Sequence, residues 1–178
     1  VAPASDLNEF FRVGGNGKFV YEAEVRHFLD LLTTNEKYPF STPTLRDELR
    51  HTFWLVGNRV NSAKAMEKLL RRHPVFYQYK IVLAAGDGKS LSDDDEVTEE
   101  MQDTTRNERS IEKVRQAIAK HDKTITLSVG QLTTGVTIKE WSAVLMLSDI
   151  KQETLYTQAI FRAQNPYQYV DAQGELHR

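Results

Sequence analysis

The stretch "HTFWLVGNRVNSAKAMEKLLRRHPVFYQYKIVLAA", His51 to Ala85, decides the fold. It opens with Thr52–Val56, a short apolar run of the kind that forms a strand buried on both faces. "GNRVNS" is a turn, and "SAKAMEKLLRRH" then has the spacing of an amphipathic helix. Ala63, Met66, Leu69 and Leu70 fall on one side, with Lys64, Lys68, Arg71 and Arg72 on the other. "YKIVLAA" is a second buried strand. Parallel strands joined by a helix make a right-handed βαβ unit.

Immediately downstream stands "GDGKS", Gly86–Ser90, which resembles a phosphate-binding loop. Such a loop needs a first glycine five residues before the second. With Gly88 as the second, Leu83 occupies the first position. The following "LSDDDEVTEE" places carboxylates where a phosphate would have to sit. A strand followed by a turn is the better reading, and Lys89 is not a P-loop lysine. "LSDDDEVTEEMQDTT" reads as a solvated acidic loop over 91–105. Asp93, Asp94 and Asp95 are consecutive, with no turn glycine to make them converge on a magnesium ion.

Further on, Thr105 and Glu108 have capping-box spacing at the start of a helix whose buried stripe is Ile111, Val114 and Ile118. "TITLSV" alternates Ile125, Leu127 and Val129 as a strand, and "AVLMLS", Ala143–Ser148, is another. A last helix is expected over Glu153–Gln164, stopped by Asn165–Pro166. Upstream, residues 1–50 form a helical lead-in. Val20, Ala23, Phe28, Leu31 and Leu32 stand at roughly helical spacing. Thr42 is placed to cap a second helix that has Pro43 at its first position. The expected fold is an α/β layered domain over 51–178, its mainly parallel sheet flanked by helices, after the lead-in of 1–50.

Composition bounds the function. The chain has 178 residues, 40% hydrophobic and 27% charged, with a net charge of -2 and a pI near 6.2. A chain without a basic excess must contact nucleic acid through a local patch or a partner. With no cysteine, disulfides, thiolate metal sites and cysteine nucleophiles are excluded. The absence fits a reducing compartment, and a cytoplasmic location is expected. No apolar run reaches the roughly 20 residues of a membrane span. His27, His51, His73, His121 and His177 are dispersed without metal-ligand spacing, so no metal site is expected. No nuclease constellation is visible. Trp54 and Trp141 border strands as packing residues; base stacking is the alternative for Trp141.

Two stretches carry chemistry. In "TITLSVGQLTTGVTIKEWSAVLMLSDI", Thr133, Thr134 and Gly135 follow a strand. Ligands of open α/β sheets bind at such strand ends, and small residues let backbone N–H groups approach a phosphate. In "YTQAIFRAQNPY", Gln158, Arg162 and Asn165 share one face of a helix. Two amides and a guanidinium make a hydrogen-bonding surface suited to phosphate, or simply a solvated face.

These stretches together resemble the second RecA-like domain of superfamily-two helicases and translocases, notably the motors of type III and type I restriction enzymes. "QLTTGVTIKEW" is similar to that family's motif V and "QAIFRAQNP" to its motif VI. "HTFWLVGNRVNSAKAMEKLL" resembles the motif IV region, and the likeness runs from Thr52 to Tyr167. It implies a nucleic-acid-dependent ATPase. Arg162 would reach the γ-phosphate and Gln158 would orient the site, with Gly135, Thr137 and Asn165 on the nucleotide side. Gly57, Asn58, Arg59, Thr133 and Thr134 would hold nucleic-acid phosphates. The sequence departs from the family pattern at Asn165, where a second arginine is usual, at Phe161, where a glycine is usual, and at Thr137, where an acidic or amide residue is usual.

Neither a Walker A loop nor a magnesium-binding Asp-Glu pair is found here. In the family both belong to the first RecA-like domain. The resemblance therefore implies a fragment, an expectation that Val1 fits, with ATP and Mg2+ bound mainly by the first domain of the same polypeptide. No cofactor is expected on the chain alone, and it should not turn over ATP unaided. The implied partners are that first domain, duplex DNA and a methylase or specificity subunit, with no membrane. Two other readings stay open: an α/β module for protein–protein assembly, and an independent nucleotide enzyme using "GDGKS".

Overall fold

A computed structural model describes residues 6–84, 104–129, 138–148, 169–170 and 176–177. At its centre lie four parallel strands: β1 (His51–Val56), β2 (Lys80–Leu83), β3 (Thr124–Ser128) and β4 (Ala143–Leu147). Two short strands, β5 (Tyr169–Val170) and β6 (Leu176–His177), extend one edge. The sheet order is β2-β3-β1-β4-β5-β6, and only the β5–β6 pair is antiparallel. β1 is central, pairing His51 with Thr124 on one side and Thr52 with Ala143 on the other. The expected α/β layered fold with a mainly parallel sheet is what forms. The C-terminal pair β5–β6 had no signal in the sequence reading, because two-residue strands are too short to show a period.

The two crossovers that run through described helices lie on opposite faces. From β1 the chain passes through α4 (Val60–Arg72) to β2, skipping the position that β3 later fills. From β2 it returns to β3 through α5 (Thr104–Lys120). Side chains alternate across each strand. Trp54, Val56, Ile125, Leu127, Leu145 and Leu147 pack with Met66 and Leu70 of α4 in one core. Phe53, Leu55, Val82, Val144 and Met146 pack with Val114 and Ala117 of α5 in the other. α5 begins at Thr104, one residue before the expected cap, within the usual scatter of helix ends.

The first fifty residues cover the α4 side. They contain α1 (Leu7–Phe10), a tight hairpin bridging Val13 and Phe19, α2 (Glu22–Thr34) and α3 (Pro43–Glu48). Thr42 caps α3 by accepting a hydrogen bond from Leu45 N, with Pro43 in the first turn, as its position requires. Phe11, Phe19, Val25, Leu29, Leu32, Phe40 and Leu49 join the core of Trp54 and Leu70. The buried stripe of α2 is Val25, Leu29 and Leu32. Val20 and Ala23, assigned to it by spacing, are exposed. Val20 ends the hairpin instead, donating its N–H to Arg12 O. His73, just after α4, accepts hydrogen bonds at Nδ1 from Val75 N and Phe76 N. Its Nε2 lies 3.0 Å from Asp30 Oδ1, which ties α2 to the end of α4.

Trp141 is a core residue and not a base-stacking platform. It is 1% exposed and stacks on Phe53 at 4.7 Å between ring centroids. Trp54 is equally buried and donates its indole N–H to Thr52 Oγ1.

Candidate nucleic-acid interface

The site is built from the C-terminal ends of three adjacent parallel strands. β3, β1 and β4 run side by side and end at Ser128, Val56 and Leu147. The residues that follow them in sequence are the threonine–glycine stretch after β3, Gly57–Asn58–Arg59 after β1, and the glutamine–arginine stretch after β4. The chain leaves β1 toward β2 and leaves β4 toward β5, in opposite directions along the sheet. That reversal between neighbouring strands makes a topological switch point, where open α/β sheets take ligands.

Gly57 turns the chain out of β1 and into α4. Its φ is +62, a left-handed conformation that favours glycine. A β-carbon there would also lie 2.9 Å from Ser62 Oγ and 3.1 Å from Ser62 Cβ. Gly57 N donates to Leu147 O, which fixes the turn to the end of β4. Ser62 Oγ donates to Phe11 O at 2.7 Å, so the turn is also locked to the N-terminal segment. The turn expected over "GNRVNS" is shorter, Gly57–Arg59, because Val60–Ser62 already belong to α4; it is anchored to the sheet through Gly57 and, through Ser62, to the lead-in.

Arg59 is the N-cap residue of α4, a helix of 13 residues, and its side chain makes no capping bond. A guanidinium has no acceptor to offer the first-turn N–H groups. The positive end of α4 therefore carries an added cation, an arrangement that suits an anion. Arg59 is exposed and Asn58 half-buried, and both have polar partners of their own. Ser148, at the end of β4, is buried, and its hydroxyl has no partner among the described residues. Across the rim, Lys113 of α5 donates to Leu83 O at 2.9 Å and closes the end of β2.

Gly57, Asn58 and Arg59 are thus brought together at the strand end where the sequence put them. Thr133, Thr134, Gly135, Thr137, Gln158, Arg162 and Asn165 lie outside the described residues. So do Gly86–Ser90, the acidic residues 91–103 and the expected helix over 153–164. Among the described residues no group of three or more histidines and carboxylates is placed to hold a metal ion, and no helix is long and apolar enough to cross a membrane. The sequence reading missed Ser62 and Phe11, which position the turn. Nothing in their spacing, 51 residues apart, could have paired them.

No family model matches the chain. It is similar to a protein of Mycoplasma pneumoniae described as "Putative type II restriction enzyme and methyltransferase RM.MpnORF110P C-terminus", with 30% identity over 160 residues. The match takes in 84% of this chain, and the chain spans 20% of that protein's length. The chain is therefore related in sequence to part of a restriction–modification protein.

Proposed function

We propose that the chain is the second motor domain of a nucleic-acid-dependent ATPase, a helicase or DNA translocase of restriction–modification type. One observation carries the reading. The stretches resembling motifs V and VI each follow a strand, and those strands flank β1 on either side and run parallel to it. The strands that precede these stretches in sequence end beside β1, at the same end of the sheet. The restriction–modification relative supports the setting.

In this reading ATP and Mg2+ are held mainly by a first RecA-like domain of the same polypeptide. Arg162 donates to the γ-phosphate oxygens as charge develops on them, and Gln158 orients the site. Gly135, Thr137 and Asn165 complete the nucleotide side. Asn165 gives a neutral hydrogen bond where the family has a second cation, which leaves Arg162 as the finger. Gly57, Asn58, Arg59, Thr133 and Thr134 hold the DNA backbone. Such contacts position a strand without reading its sequence, as a translocase needs. The working protein is cytoplasmic and acts on duplex DNA beside a methylase or specificity subunit.

The test is ATP hydrolysis by this chain alone and by a polypeptide that joins it to a Walker A domain, each with and without duplex DNA. The chain alone should be inactive and the joined protein DNA-stimulated. Turnover by the chain alone that is lost in Lys89→Ala would overturn the reading and make "GDGKS" the site. A joined protein that never hydrolyses ATP would favour the assembly module.

A further inference from the structure

The hairpin Arg12–Val20 presents "GGNGK", Gly14–Lys18, at its tip. Gly14 N donates to Lys18 O, Gly17 N to Gly14 O, and Lys18 N to Asn16 Oδ1. The amides of Gly15 and Asn16 donate to no described residue, and both residues are exposed. A β-carbon on Gly15 would meet nothing within 4 Å, so the backbone is open to close approach there. Gly17 has φ +78, and a β-carbon on it would lie 3.8 Å from Lys68 Nζ. The ammonium of α4 is thus folded over the hairpin. Lys18 and Lys68 are exposed, and neither side chain is in an ion pair among the described residues.

The hairpin is continuous with the candidate interface. Its base, Phe11, receives the Ser62 hydroxyl at 2.7 Å and packs by the turn glycine, Gly57. On α4, Lys64 and Lys68 stand one turn apart on the same side of the helix, about 6 Å at about 1.5 Å per residue. In a chain of net charge -2, the hairpin and the adjoining turn of α4 bring together Lys18, Lys64, Lys68 and the two open amides, with a glycine tip that keeps side chains out of the way. Successive backbone N–H groups beside lysines suit phosphate oxygens.

We infer that the Gly14–Lys18 hairpin, with Lys68 and Lys64 of α4, is a second contact for the nucleic-acid backbone, extending the strand-end interface away from the sheet. The surface rests on the nucleic-acid reading above, and it gives the N-terminal segment a role in holding substrate.

The experiment measures binding of a short fluorescein-labelled DNA duplex to this chain between about 50 and 200 mM salt, a range in which phosphate contacts are strongly weakened. It compares wild type, the double variant Lys18→Gln/Lys68→Gln, and Arg59→Gln. The double variant should lower the slope of log affinity against log salt by about 1.8, about 0.9 for each lost phosphate contact. If it binds like wild type while Arg59→Gln binds more weakly, the hairpin contact is wrong and the strand-end reading stands. If wild type does not bind at low salt, both fail. Polyglutamate of matched charge should not displace the DNA. Displacement would mean that the face takes an acidic polypeptide, and would overturn the inference.

Discussion

Gly57 is the residue on which the interface turns. An alanine there would have to hold a left-handed backbone and place its β-carbon 2.9 Å from Ser62 Oγ. The backbone term alone is about 1–2 kcal/mol. Gly57→Ala should therefore destabilise the chain by about 2 kcal/mol or more, read as a lower midpoint in urea unfolding. His51 offers a second check at this scale. Burial lowers its pKa below the ordinary 6.5, while Asp122 and Glu140 oppose the shift. The unfolded chain then binds the proton more readily than the folded one. Stability is unaffected while both forms are neutral and falls as pH drops below about 6.5 toward the lower folded value. His51→Gln should flatten that part of a plot of unfolding midpoint against pH. The turn glycine was legible in "GNRVNS", but neither its φ nor its contact with Ser62 was. A backbone sign and a contact across space leave no mark on local spacing.

Among the elements, β1 and α4 were the most legible. An apolar pentad and a strong helical stripe are local signals, and both were buried as read. α2 was only half legible. A helix was expected there, but it starts later and its buried face is rotated, because Phe19 and Val20 belong to a hairpin that the helical period concealed. That hairpin and α2 are held on the sheet by Phe11, which is 1% exposed and in edge contact with Phe10, Phe19 and Phe28. Phe11→Ala should cost about 3–5 kcal/mol. Circular dichroism and tryptophan fluorescence of that variant should still lose structure in one coincident transition, since the lead-in and the sheet share a core. Separate transitions would mean that the lead-in folds independently.

For the whole molecule, the parallel α/β architecture was legible because strand and helix alternate along the chain. The strand order was not: that β3 inserts between β1 and β2 is set by long-range pairing. This order places the ends of β3, β1 and β4 together and makes one rim from stretches far apart in sequence. The candidate site was expected from motif likenesses; of its residues Gly57–Arg59 stand at the end of β1, and the others lie outside the described residues. How the N-terminal segment buttresses the rim through Phe11 and Ser62 is a tertiary fact that periodicity does not encode.

The most direct measurement is DNA-stimulated ATP hydrolysis by a polypeptide that joins this chain to a Walker A domain, wild type against Arg162→Ala, with nucleotide affinity measured alongside. The motor role requires that Arg162→Ala lowers the rate by about 1,000-fold or more, the contribution of an arginine that stabilises the transferring phosphoryl group. Nucleotide affinity should change little. Hydrolysis that persists at the wild-type rate in Arg162→Ala would contradict it.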